Sequence, residues 1–188
     1  MKKIAVFASG AGSNAGVIIN YFQKHQHITV SLIVSNNPEA GVIKIAESKG
    51  ITTLQIEKEK FFRGNAYTNE LKEAGIEFIL LAGFLWKIPA SLIKAFPQKI
   101  INIHPALLPK YGGKGMYGRF VHEAVIASGD TESGITIHYV DEIYDHGGII
   151  FQEKCAVSAT DTAESLAQKI HKLEHKNFAV VIEKLLMK

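Results

Sequence analysis

Short apolar runs alternate with longer amphipathic stretches through the first half of this chain, and that rhythm restricts the fold more than any other feature. Ile4–Ala8, Thr29–Val34, Thr52–Gln55, Phe78–Ala82 and Ile100–His104 are brief, apolar and bounded by polar residues or by Gly and Pro, as buried strands are. Ser13–Lys24, Glu39–Lys49, Ala66–Ala74 and Ala90–Ala95 fall between them and read as helices. Strand, helix and strand in this order require right-handed crossovers and a parallel sheet. The expectation is an α/β, Rossmann-like, mostly parallel sheet with helices on both faces.

After His104 the rhythm changes. Residues Pro105–Arg119 are rich in Pro and Gly, a helix is predicted over Phe120–Ser128, and Gly134–Val140 and Gly148–Val157 read as neighbouring strands. The second half is therefore expected to be mixed or antiparallel. Asp161 with Glu164 three residues on looks like a helix start, and Leu166, Ile170, Leu173, Val181 and Leu185 recur at helical spacing, predicting one long amphipathic helix to Leu186. No repeat or linker interrupts the 188 residues, so a single domain over 1–188 is expected.

Composition removes several function classes. The 21 basic and 18 acidic residues leave a net charge of +3, and Lys2, Lys24, Lys44, Lys110 and Lys184 are scattered, whereas a nucleic-acid surface needs clustered cations. Cys155 is the one cysteine, so no internal disulfide forms, and its place in a strand-like run reads as packing. Ile4–Ala8 is too short for a signal sequence, and no run approaches the roughly 20 apolar residues of a membrane span. A cytoplasmic protein handling small molecules, with no membrane or nucleic-acid partner, is expected.

The loop between the first strand and first helix reads Ser9-Gly10-Ala11-Gly12-Ser13-Asn14. Glycines allow a tight turn and close backbone approach, and the free N–H groups of a helix start bind anions, most simply phosphate. Gly10-x-Gly12-x-x-Ala15 also fits a dinucleotide fingerprint, but Ser35-Asn36-Asn37 stands where an acidic residue should close the second strand. No Gly-Lys-Ser/Thr follows the loop, which excludes a Walker motif.

Asn102-Ile103-His104-Pro105 ends a predicted buried strand. Alternation puts Asn102 and His104 on one side, and Pro105 keeps His104 extended, at the carboxyl edge where open α/β sheets place ligands. Asp145-His146-Gly147-Gly148 reads by itself as a turn. His171-Lys172-Leu173-Glu174-His175 matches an inverted zinc-protease pattern, but a third ligand from a later helix is expected and little chain follows; no metal is expected.

Together the glycine loop, Asn102-Ile103-His104-Pro105-Ala106-Leu107-Leu108-Pro109-Lys110-Tyr111, Ala82-Gly83-Phe84-Leu85 and Asp145 with its glycines resemble the glycinamide ribonucleotide transformylase (phosphoribosylglycinamide formyltransferase) family of folate-dependent enzymes. The likeness runs from about Lys3 to Val181. It implies the formyltransferase fold and transfer of a formyl group from 10-formyltetrahydrofolate, a co-substrate, to the amine of 5'-phosphoribosylglycinamide in purine biosynthesis. By the same resemblance Asn102, His104 and Asp145 are catalytic, and Gly10, Ala11, Gly12, Ser13, Asn14 and Glu174 hold the ribonucleotide. Arg63, Leu85, Trp86, Lys87, Ile88, Asn102, Asp141 and Asp145 meet the folate, with His138 beside the active site. Such enzymes work as monomers or homodimers. Ala106, Trp86 and the Gly112–Arg119 stretch depart from the family's commonest pattern. Two related folate activities remain as alternatives, hydrolysis of formyltetrahydrofolate and formylation of methionyl-tRNA, although Pro105 stands where the tRNA family has Gly. A non-catalytic nucleotide-binding module would explain the glycine loop but not the trio.

Overall fold

The computed structural model describes residues 1–188 and divides them into two compact units, Met1–Asn102 and Ile103–Lys188. The first unit holds β1 (Lys2–Phe7), α1 (Ser13–Phe22), β2 (Ile28–Ser35), α2 (Gly41–Ser48), β3 (Thr52–Gln55), α3 (Lys58–Arg63), α4 (Thr68–Glu73), β4 (Phe78–Leu81) and α5 (Ala90–Ala95), and β5 (Ile100–His104) runs out of it. Its strands lie in the order β3-β2-β1-β4-β5, every neighbouring pair parallel. Chain order reverses at β1, between the crossovers to β2 and to β4, and such a switch point opens a crevice beyond the strand ends.

Burial explains the strands. Ile4, Ala5 and Val6 of β1 and Ile79 and Leu80 of β4 are fully buried, so neither strand alternates; both are continuous apolar runs, as in a sheet covered on each face. β3 has no fully buried residue and lies at the edge of the order. Its ThrThr start suits a half-solvated strand.

The second unit contains α6 (Arg119–Ser128), β6 (Glu132–Tyr139), β7 (Ile149–Ala156) and α7 (Ala163–Leu186). β6 and β7 pair antiparallel, from Glu132 with Ala156 to His138 with Ile149, which gives the mixed second half that the sequence predicts. The helix α7 packs on α6, β6 and β7.

The long helix differs from its expected form in two respects. Its cap is Thr162, not Asp161: Thr162 Oγ1 accepts from the Ser165 N–H at 3.2 Å, and Ser165 Oγ accepts from the Thr162 N–H at 3.0 Å. Asp161 instead takes the Lys169 ammonium at 2.5 Å and the Ser158 N–H at 2.8 Å; the ammonium, with the Ser158 and Ser165 bonds, lowers its carboxyl pKa to about 2. The buried stripe is Leu166, Ile170, Glu174, Phe178, Ile182 and Leu186, with Leu173, Val181 and Leu185 only half-buried. A carboxylate therefore sits in the middle of an apolar face. Among the other predicted elements, α3 was not expected, and the predicted Ala66–Ala74 helix begins only at Thr68 because Ala66 and Tyr67 take left-handed backbone, φ 54° and 61°.

Thr162→Ala removes one half of a reciprocal cap and is expected to cost about 1 kcal/mol, a fall in Tm of roughly 2–4 °C for a chain of this size, checked by thermal unfolding.

Candidate active site

Gly12 caps α1 with left-handed backbone, φ 79°. A methyl group there would lie 2.6 Å from Val42 Cβ and 2.8 Å from its Cα, so close approach and backbone angle both demand glycine. The loop is tied to α2 by the Val42 N–H, which donates to the Gly10 carbonyl at 3.3 Å. Gly12 has no side chain to cap α1, and helix starts of this kind present N–H groups to anions.

Ser9 joins this loop to the 82–88 segment. Its hydroxyl accepts from the Leu85 N–H at 2.9 Å and donates to Asn36 Oδ1 at 2.6 Å, and its own N–H donates to the Gly83 carbonyl at 3.1 Å. Beyond Leu85, which is 55 % exposed, Trp86 packs on Phe61 and Phe62 of α3 with ring centroids 5.7 and 5.6 Å away. Phe84 joins the same cluster through Phe61 and Phe7. Thus α3 carries Arg63 on the element that packs against Trp86, although the Arg63 guanidinium itself pairs with Glu59 at 3.3 Å in solvent. Lys87 is exposed and Ile88 buried.

In the second unit His104 is 3 % exposed. Its Nε2 lies 2.8 Å from the Tyr111 carbonyl oxygen. A carbonyl only accepts, so Nε2 carries the hydrogen and Nδ1 is the uncommitted nitrogen. Nδ1 faces Asp145 Oδ1 at 3.6 Å, and His138 Nε2 faces the same oxygen at 3.7 Å. His138 Nδ1 donates to the Tyr139 carbonyl at 2.8 Å. Both gaps are too long for a hydrogen bond. Asp145 Oδ2 accepts from the Gly113 N–H at 2.9 Å, and Asp145 itself is left-handed, φ 53°.

Three acceptors thus converge when both rings are neutral. Burial pushes His138 below its ordinary range, against the opposing pull of the Tyr139 carbonyl and the Asp145 carboxylate. All three side chains are of types that accept and donate protons. Asp141 organises the turn that presents Asp145: its carboxylate accepts from the Ile143 N–H at 2.8 Å and meets His146 Nδ1 at 2.9 Å. Asn102 is half-buried, two residues before His104 on β5.

Of the residues singled out in the sequence, the structure brings His104, Asp145 and His138 together, and it joins the glycine loop to Leu85 through Ser9. Glu174 is buried on α7, 5 % exposed. His171 and His175 stack at 6.4 Å, and His175 Nε2 is buried without a hydrogen-bond partner. Sequence reasoning missed the Tyr111 carbonyl and the Gly113 N–H, since backbone groups leave no residue-type signal. It also missed His122 on α6, which is 3 % exposed with Nδ1 unpartnered.

The chain is similar to known proteins in sequence and in fold. The formyl transferase family matches residues 2–182. The chain belongs to the formyl transferase family. A chloroplastic phosphoribosylglycinamide formyltransferase of Vigna unguiculata is 45 % identical over 98 % of this chain and 61 % of its own length. The Arabidopsis thaliana protein of the same name is matched over 64 % of its length, so the chain spans less than two thirds of these plant relatives. The phosphoribosylglycinamide formyltransferase of Bacillus subtilis (strain 168) is 39 % identical over 99 % of this chain and 95 % of its own. The crystal structure of phosphoribosylglycinamide formyltransferase from Bacillus halodurans superposes with a TM-score of 0.90 at 35 % identity, covering 100 % of this chain and 96 % of the other.

Burial lowers the His122 pKa from its ordinary 6.5 to about 4, helped by His171 and His104. The unfolded chain therefore binds the extra proton between those values, and stability is complete above 6.5 and lost as pH falls toward 4. The loss is about 3 kcal/mol. Urea unfolding at stepped pH is expected to show a shallower decline for His122→Gln than for the natural chain.

Proposed function

We propose that this protein transfers the formyl group of 10-formyltetrahydrofolate to the amine of 5'-phosphoribosylglycinamide, a step of purine biosynthesis. The observation that carries the reading is the buried His104–Asp145 pair, with Nε2 occupied by Tyr111 and Nδ1 turned on the carboxylate. Relatives named for this activity over nearly the whole chain support it.

In this reading the N–H groups of the Gly10–Asn14 loop bind the ribonucleotide phosphate, and Glu174 accepts from the ribose hydroxyls. The folate lies against Leu85, Trp86, Lys87 and Ile88, with Arg63 and Asp141 at its margins and Asn102 and Asp145 at its reactive end. Ser9 gives this arrangement physical support, because one side chain fixes both the phosphate loop and the Leu85 backbone.

The substrate amine attacks the formyl carbon, and negative charge develops on the formyl oxygen. Asn102 Nδ2 and a protonated His104 Nδ1 donate to that oxygen; one such donor is typically worth about 3–4 kcal/mol. The amine gives its proton through water to Asp145, His104 delivers its Nδ1 proton to N10 of the departing tetrahydrofolate as the carbon–N10 bond breaks, and Asp145 then returns a proton to His104. His138 holds the far side of Asp145 Oδ1. Both units act as one formyltransferase domain over 1–188, a cytoplasmic monomer or homodimer working on small molecules alone.

The decisive assay mixes purified protein with both substrates and follows tetrahydrofolate release. Release that depends on the ribonucleotide is expected; release without it would mean a hydrolase, and binding without release a non-catalytic module. Asp145→Asn and His104→Ala are each expected to lower kcat by roughly 10²-fold or more with unchanged circular dichroism, and near-normal turnover in either would remove the assigned roles.

Gly12→Ala separates binding from chemistry. Displacing the loop forfeits a charge-assisted bond worth about 1.5–3 kcal/mol, so KM for the ribonucleotide is expected to rise roughly 10- to 100-fold with little change in KM for the folate, read from steady-state kinetics.

A further inference from the structure

The Tyr111 carbonyl that receives His104 Nε2–H is delivered by a bulky residue in left-handed backbone, φ 54°. Such a conformation is strained for a large L-residue and persists only where its surroundings hold it. The side chain shows what holds it. Tyr111 O–H donates to Asp130 Oδ2 at 2.8 Å, and its oxygen lies 2.5 Å from Ser128 Oγ at the end of α6. The same Asp130 oxygen takes the Lys110 ammonium at 2.9 Å. One carboxylate therefore clamps two consecutive residues, the second of which aims its carbonyl at His104. The Lys110 ammonium and then the Tyr111 hydroxyl hold the Asp130 carboxyl below its ordinary range, so Asp130 remains an ionised acceptor around neutrality.

We propose that Asp130, acting through Tyr111, is a positioning residue for the imidazole of His104. Its bond to the Tyr111 hydroxyl keeps the Tyr111 carbonyl on Nε2, fixes the Nε2–H tautomer of the neutral ring, and leaves Nδ1 the one ring atom able to exchange a proton with Asp145. A surface ion pair with Lys110 alone would not do this, since such pairs contribute little and specify no geometry at the ring. Gly112 belongs to the same device. A methyl group there would stand 2.6 Å from Leu108 Cδ2 and 3.2 Å from Asp145 Cβ, so the chain between the Tyr111 carbonyl and the Gly113 N–H is pressed against the cluster it serves. The strap thus touches both polar partners, His104 from one side and Asp145 from the other.

The consequence for turnover rests on the formyl-transfer reading; the tautomer does not, and the two are measured separately. In 15N-labelled protein at about pH 8, where an ordinary imidazole is neutral, long-range 1H–15N correlation of the His104 ring, assigned by its loss in His104→Gln, is expected to show Nε2–H alone. Tyr111→Phe and Asp130→Ala are expected to give a mixture of both tautomers. In the same variants kcat should fall roughly 10- to 100-fold, as for a misplaced catalytic group, with both KM values within about twofold. Asp130→Asn keeps an amide oxygen able to accept from Tyr111 and should return the spectrum and kcat most of the way. Lys154→Met, which breaks the exposed pair with Glu132 at 2.9 Å, is the control and should leave both readouts unchanged. An unaltered tautomer in Tyr111→Phe overturns the proposal, as does the same mixture in Lys154→Met. Should Asp130→Ala not fold, Tyr111→Phe and Asp130→Asn decide it. If the natural protein transfers no formyl group yet the tautomer shifts as stated, the functional reading fails and the positioning role stands.

Discussion

Two imidazoles turn a ring nitrogen each on one oxygen of Asp145, and the backbone of the second unit holds that meeting in place. An ionised carboxylate 11 % exposed is costly unless its lone pairs are satisfied. Gly113 satisfies Oδ2 from the backbone, which leaves Oδ1 to the two rings. Each ring has its second nitrogen fixed on a main-chain carbonyl, Tyr111 for His104 and Tyr139 for His138. Neither can rotate or change tautomer without breaking a buried bond worth about 1 kcal/mol. The proton-accepting atoms are thus set by backbone, which is stiffer than side chain.

That backbone is held by buried polar groups of its own. Thr136, fully buried on β6, donates to the Ala106 carbonyl at 2.6 Å and accepts from the Leu108 N–H at 3.0 Å. Gln152 on β7 reaches the Leu108 carbonyl at 3.0 Å and Thr136 Oγ1 at 2.8 Å. The segment after His104 is irregular, yet its main-chain groups are paired inside the unit, as buried backbone must be. At the other side Gly147 closes the turn after Asp145 so tightly that a methyl group would fall 1.9 Å from the Tyr139 carbonyl. Asp145 is pinned in left-handed backbone between these two fixed segments, and short polar side chains tolerate that region better than most.

How much of this was legible in the sequence follows from the kind of signal each feature leaves. β3, β5 and α5 were predicted at their observed limits because an apolar run bounded by Pro, Gly or charge is a one-dimensional pattern. Helix α3 escaped because Lys58-Glu59-Lys60 looks like solvated loop, and its reason for being helical is Phe61 packing against Phe84 and Trp86, a contact made far along the chain. The cap at Thr162 was misplaced by one residue because Asp161-Thr162 offers two capping side chains and Glu164-Ser165 two answers to them; Lys169 settles the choice by engaging Asp161. For the site, residue types and strand alternation singled out Asn102 and His104, whereas Asp145, a turn residue by itself, stood out through the family resemblance. The proximity of His104 and Asp145 depends on a turn held by Asp141 and Gly147, which spacing alone does not encode.

Besides His104, the second unit buries two imidazoles. His122 and His138 are both pushed by burial toward the neutral form, and each feels the His104 ring as a further reason to stay neutral. Coulomb repulsion between imidazolium rings inside protein amounts to several kcal/mol at contact distances, so the cluster holds one added positive charge far more easily than two. Asp145 can balance that one charge but not a second. Burial thus weighs against charge on either of these two rings.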